Sequence, residues 1–127
     1  MTAPRSALVV DDSRPIRSML RKMLESLGFG VAEAVDGADA LEQLRAGAHP
    51  ALVLVDWNMP NLNGLEFVKA VRRDPGFGDV RLVMQTTETE MDFVAQALEA
   101  GADEYVMKPF TEEILTDKLA LLGFTGA

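Results

Sequence analysis

Three carboxylates, two hydroxyls and one ammonium stand in this sequence where they could work together. Asp11 and Asp12 close a first apolar run, Asp56 a third, Thr86 and Thr87 a fourth, and Lys108, followed by Pro109, a fifth. Acids crowded on one rim repel one another and stay ionised at neutral pH only if a cation sits among them. Oxygen donors without His or Cys suit a hard divalent ion. Mg²⁺ fits best, because it keeps several waters and takes one or two carboxylates plus a phosphate oxygen, with Asp12 and Asp56 as its expected ligands. A carboxylate can also attack phosphorus and form an acyl phosphate. Such a transfer needs in-line geometry and neutralised equatorial oxygens, and the metal, Lys108 and the Thr86 hydroxyl could each meet one of them.

Taken singly, each residue has an ordinary reading. Asp12 or Ser13 would cap a helix entered at Pro15. Asp56 would sit in a turn, Thr86 would be a β-branched strand residue, and Lys108 a solvated charge. Only convergence on one rim separates the two readings, so the elements that carry these residues decide the matter.

Short apolar runs at 7–10, 31–35, 51–55, 80–84 and 104–107 read as strands, three of them apolar nearly throughout. Continuous apolarity means burial on both faces, as parallel sheets require. Between the runs lie amphipathic stripes. Ile16, Met19, Leu20, Met23, Leu24 and Leu27 recur at three- and four-residue spacing, opposite Arg17, Arg21, Lys22 and Glu25. Further stripes run through Ala38-Leu41-Leu44, Leu65-Val68-Val71, Val94-Ala97-Leu98 and Leu115-Leu119-Leu122, and Gly28, Gly47 and Gly101 follow helix ends that want a left-handed cap. Strict βα alternation implies a parallel sheet with helices on both faces. In such a sheet the ligand site lies beyond the carboxyl ends of the strands, where all the residues above fall.

At 127 residues the chain has the size of one domain, and 48% hydrophobic residues with 25% charged is a globular composition. Twelve Lys and Arg against twenty Asp and Glu give a formal charge of −8, which disfavours a phosphate backbone as partner. The absence of Cys excludes disulfides, thiolate catalysis and thiolate metal sites. The first apolar run is too short for a signal core or a membrane span, so no membrane association and a cytoplasmic location are expected. His49, the one histidine, is expected on the surface, the methionines mostly in the core, and Trp57 exposed or half-exposed.

The segments Asp11-Asp12-Ser13, Asp56-Trp57-Asn58-Met59-Pro60, Asn63-Gly64, Thr86-Thr87-Glu88, Gly101-Ala102 and Tyr105-Val106-Met107-Lys108-Pro109-Phe110 resemble, in family order, the signature segments of CheY-like receiver domains of two-component response regulators. The match runs over almost the whole chain, and the segment beginning at Asp56 is particularly similar to the chemotaxis branch. The resemblance implies a flavodoxin-like (βα)5 α/β fold with strand order 2-1-3-4-5, an order that periodicity does not supply. It implies that Asp56 is the phosphoacceptor, Asp12 a direct Mg²⁺ ligand, Asp11 a ligand through water and Asn58 a ligand through its backbone carbonyl. Lys108, joined to Pro109 by a cis bond, would hold the phosphoryl group. The Thr86 hydroxyl and the Thr87 N–H would bond its oxygens, Asn58 and Glu88 would flank the water that removes it, and Tyr105 would be a rotamer switch. Two positions depart from the pattern: Thr87 stands where Ala or another small residue is common, and Gln85 where an apolar residue is common.

The partners so implied are a sensor histidine kinase as phosphodonor and a protein target, in chemotaxis the flagellar motor. The target would dock on the fourth helix, fifth strand and fifth helix, at Glu90, Met91, Val94, Leu98, Tyr105 and Lys118. One receiver domain over residues 1–127, with its core at about 6–122 and no output domain, is expected to act as a switch that catalyses only its own phosphorylation and dephosphorylation. Two other functions stand beside this one. A phosphorelay intermediate would pass the group to a phosphotransfer histidine with the same chemistry. A haloacid-dehalogenase-like phosphatase would want a second acid two residues after its nucleophile, where this chain has Asn58.

Overall fold

The computed structural model describes residues 5–59 and 62–124, with the side chains of Glu88 and Thr89 excepted. Five strands, β1 (Arg5–Val10), β2 (Phe29–Ala34), β3 (Leu52–Asp56), β4 (Arg81–Thr86) and β5 (Glu104–Met107), alternate with α1 (Arg14–Ser26), α2 (Gly37–Arg45), α3 (Gly64–Arg72), α4 (Val94–Ala100) and α5 (Glu112–Leu121). The strands pair in parallel in the order β2-β1-β3-β4-β5. The expected α/β sheet and its order are therefore present.

Burial explains which strands were legible. All of β3 is buried, as are the last four residues of β1 and the last five of β4, whereas the edge strands β2 and β5 are buried only at intervals. Period-two alternation divides these side chains between two cores. One core packs Leu8, Val10, Val53, Val55, Leu82 and Met84 against Phe67, Val68 and Val71 of α3 and Ala97 of α4. The other packs Ala7, Val9, Leu52, Leu54, Val83 and Val106 against Leu20 and Leu24 of α1 and Leu115 and Leu119 of α5.

Helix boundaries follow local chemistry. Ser13 caps α1, accepting from the Ile16 N–H ahead of a first turn that contains Pro15. Asn63 and Glu66 form a reciprocal capping box on α3. Gly28, Gly47 and Gly101 all adopt positive φ, and at Gly101 (φ 121°) an added Cβ would fall 2.5 Å from Arg72 Cγ. Arg72 is the reason for that closeness. Its guanidinium donates to the Gly101, Phe77 and Val80 carbonyls and to Asp103 Oδ2, all at 2.7–2.9 Å, tying together the end of the sheet opposite the acidic rim.

Several expectations shift. The second strand runs from Phe29 to Ala34, and Val35, read as its last residue, is exposed beyond it. Residues 88–93 form a 3-10 turn, so the fourth helix begins as a tighter coil and becomes α-helical only at Val94. Trp57 is buried rather than half-exposed, because Phe93 covers it. Among the described methionines only Met59 and Met84 are buried, whereas Met19 and Met107 are exposed. His49 is exposed as expected, its Nε2 2.9 Å from Asp79 Oδ1.

Candidate functional site

The carboxyl ends of β1, β3 and β5 bring together residues far apart in sequence. One carboxylate oxygen from each of Asp11, Asp12 and Asp56 lies within 4.8 Å of the others, forming the one such acidic group among the described residues. Lys108 Nζ donates to Asp56 Oδ1 at 2.8 Å and lies 4.0 Å from Asp11 Oδ2. These residues line a cleft of about 310 Å³ together with Ser13, Ile16, Asn58, Thr87 and Glu90.

Local geometry places each group. Asp11 leaves β1 buried at 1% exposure, and its Oδ1 accepts from the Ser13 N–H at 2.8 Å, a turn that leads into α1. Its Oδ2 is buried and accepts no hydrogen bond. Asp12 is exposed at the mouth of the cleft. Asp56 ends β3 at 5% exposure. The loop after it closes through Gly64, whose N–H donates to the Trp57 carbonyl at 2.9 Å. An added Cβ at Gly64 would lie 2.5 Å from Met84 Cε and 3.0 Å from Trp57 Cα, so the α3 entrance can approach only without a side chain. The Lys108–Pro109 bond is cis.

Burial pushes the Asp56 carboxyl above its ordinary value. The hydrogen bond and charge of Lys108 and the Asn58 N–H pull it back, and the charge of Glu90 adds a smaller push. Burial likewise raises Asp11, against the Ser13 N–H and Lys108, with Asp56 and Asp12 adding to the rise. At both carboxylates burial thus outweighs the groups that favour the ionised form. A buried oxygen without a hydrogen-bond partner, three convergent carboxylates and no His or Cys form a donor set that fits a hard divalent cation.

Thr86 is buried, and its hydroxyl donates to Met91 Sδ at 3.7 Å. Thr87 lines the cleft, and its N–H donates to Glu90 Oε1 at 2.8 Å. The side chain of Glu88 lies outside the described residues. Of the residues expected on the output face, Leu98 is exposed and Tyr105 half-buried, with Lys118 Nζ 4.4 Å over the Tyr105 ring. Val94 is buried, and Met91 is turned toward Thr86. Glu90 faces the acidic cleft. Sequence reasoning placed it with the output residues, although Thr87-Glu88-Thr89-Glu90 carries the spacing of a capping box that would have turned it back toward Thr87. Gln85 is buried at 1% exposure in register with Asp56, and neither side-chain polar atom has a hydrogen-bond partner among the described residues.

The sequence profile of the response regulator receiver domain matches residues 7–120. Chemotaxis protein CheY1 of Helicobacter pylori is 43% identical over 116 residues, covering 91% of this chain and 94% of that protein. The CheY homolog of Campylobacter jejuni is 40% identical, covering 94% and 93%. The solved structure of chemotaxis response regulator CheY4 of Vibrio cholerae superposes with a TM-score of 0.85 at 34% identity, over 96% of this chain and 99% of that one.

Proposed function

The chain belongs to the response regulator receiver domain family, and on that premise we propose that Asp56 accepts a phosphoryl group from a sensor histidine kinase and that the acyl phosphate switches binding of a protein target in cytoplasmic chemotaxis signalling. The observation that carries the reading is the 2.8 Å bond from Lys108 Nζ to Asp56 Oδ1 inside a cleft lined by two further carboxylates.

Asp12 and Asp56 would hold Mg²⁺ directly, Asp11 through water and Asn58 through its carbonyl. When bound, the metal supplies positive charge to the acceptor carboxylate and to the phosphoryl oxygens. An Asp56 carboxylate oxygen attacks phosphorus. The bond from phosphorus to the kinase's imidazole nitrogen breaks, and its electron pair leaves with the imidazole. Lys108, already at the acceptor, moves its hydrogen bond to an equatorial oxygen of the incoming group, and Thr86 and Thr87 offer two further donors. Burial of Asp56 favours this chemistry by removing water that would otherwise solvate the nucleophile. Asn58 lines the cleft where a phosphatase would need a proton donor, and a carboxamide cannot act as a general acid. The reading is therefore of a switch and not of a hydrolase.

Acetyl phosphate replaces the kinase in a direct test, its acetate leaving in place of imidazole. Label should appear at Asp56 in peptide maps, depend on Mg²⁺, and resist acid better than base. Label that survives Asp56→Asn unchanged ends the proposal. Phosphotransfer profiling against purified kinases, then capture of targets with and without beryllofluoride, identifies the partners.

A further inference from the structure

We propose that Glu90 is a positioning residue that guards the acceptor cleft, its carboxylate holding the backbone N–H that a phosphoryl oxygen on Asp56 would otherwise take. The inference rests on the reading of Asp56 as the acceptor. Thr87 N–H donates to Glu90 Oε1 at 2.8 Å, and Glu90 lines the same cleft as Asp56, Asn58 and Lys108. A carboxylate oxygen and a phosphoryl oxygen are the same kind of acceptor for an N–H, and one hydrogen serves one of them well at a time. The neighbouring donor is engaged from the same segment. The Thr86 hydroxyl points to Met91 Sδ at 3.7 Å, a weak acceptor that yields easily to an oxyanion. Consecutive residues of the 3-10 turn 88–93, Glu90 and Met91, thus engage the Thr87 N–H and the Thr86 hydroxyl.

Charge acts in the same direction as geometry. Glu90 lines the same cleft as Asp56, so its negative charge also repels an incoming phosphoryl dianion. Entry of the phosphoryl group therefore requires the Glu90 carboxylate to leave Thr87, which releases the cap of the 3-10 turn. Occupancy of the cleft and the conformation of the segment leading into α4 become one event.

The competing role for Glu90 is a simple cap of the turn, and two variants separate the roles. Glu90→Gln keeps a neutral oxygen for the Thr87 N–H and loses the charge; Glu90→Ala loses both. Beryllofluoride with Mg²⁺ is titrated into each protein, acetyl phosphate labelling is followed in parallel, and thermal melts establish that each variant is folded. The expected result is tighter beryllofluoride binding in both variants, by about three- to tenfold in Glu90→Ala and less in Glu90→Gln, the scale of one competing hydrogen bond. The acetyl phosphate concentration for half-maximal rate should fall in the same order, with the maximal rate little changed. Folded variants that bind beryllofluoride as the wild type does, or more weakly, overturn the proposal and leave Glu90 a cap. Failure of the wild-type protein to label at Asp56 is a different result, removing the acceptor reading and this inference with it.

Discussion

The Trp57 indole stacks on the Phe93 ring with centroids 5.1 Å apart and 17° between their planes, so the residue after Asp56 is roofed by the last residue of the turn that carries Glu90. Phe93 itself is 41% exposed, and the stack leaves Trp57 at 9%. Phe93→Ala should shift Trp57 emission to the red, increase quenching by acrylamide, and lower stability by about 1 kcal/mol, the scale of an aromatic pair. Unshifted emission would mean that other groups cover the indole.

Asp56→Asn should raise the melting temperature of the metal-free protein at neutral pH. Burial outweighs Lys108 in setting the Asp56 carboxyl, so its ionised form is a net cost to the fold. Lys108 is partly exposed and can turn toward Asp11 or solvent once its partner is neutral. Mg²⁺ should stabilise the wild type by mass action, about 2.7 kcal/mol at a hundred times the dissociation constant, and the variant less. Thermal melts in chelator and in Mg²⁺ check both. A variant that melts lower than the wild type in chelator would show that the Lys108 bond dominates.

Glu33 on β2 behaves oppositely. Its carboxylate accepts from Arg21 Nε at 2.8 Å and Arg17 Nε at 3.0 Å, and the Arg21 bond foremost holds its carboxyl below the ordinary value. A lowered folded-state value means stability that is present above the unfolded value and is lost as pH falls through the folded one. Glu33→Gln should therefore cost stability at neutral pH, at most about 1 kcal/mol for a part-exposed, solvent-screened group, and the difference from wild type should vanish on the acid limb. Denaturant midpoints at neutral and acid pH measure it; a gap that persists in acid would assign the loss to packing.

On the proposed output face, Lys118 Nζ lies over the Tyr105 ring and 3.4 Å from Glu104 Oε1. Lys118→Ala should free the ring at little cost to stability, roughly 0.5–1 kcal/mol, and change target affinity more without beryllofluoride than with it. Thr86→Ala should keep acetyl phosphate labelling and weaken the coupling, since the phosphoryl group shifts the equilibrium only through contacts that differ between states. Amide exchange in β5 and α5, with and without beryllofluoride, reads the coupling directly. Equal protection changes in the wild type and Thr86→Ala would move the switch away from Thr86.

Sequence made the sheet legible where burial is continuous. Val53-Leu54-Val55 and Leu82-Val83-Met84 are covered on both faces and so read as unbroken apolar runs. The edge strand β2 has Gly30 and Glu33 among its residues, and its boundaries blurred accordingly. Asp11, Asp12, Asp56 and Lys108 were legible as a group because strand ends converge by topology, although the Lys108–Asp56 bond joins positions 52 residues apart. The 3-10 turn escaped notice because six residues without an apolar repeat do not distinguish a period of 3.0 from one of 3.6. Trp57 escaped for another reason: its cover, Phe93, comes from a different strand's loop, and no local pattern records that meeting.

Arg72 gives the molecule a fixed foundation beneath a replaceable rim. Its guanidinium serves the Gly101, Phe77 and Val80 carbonyls and Asp103 Oδ2, so one side chain registers the starts of β4 and β5 against the end of α3. Lysine would offer a single point charge to those four acceptors and could not substitute. With that end clamped, the connections at the opposite ends of the strands can be exchanged in a redesign, altering acceptor chemistry or partner choice, while strand register is held from below.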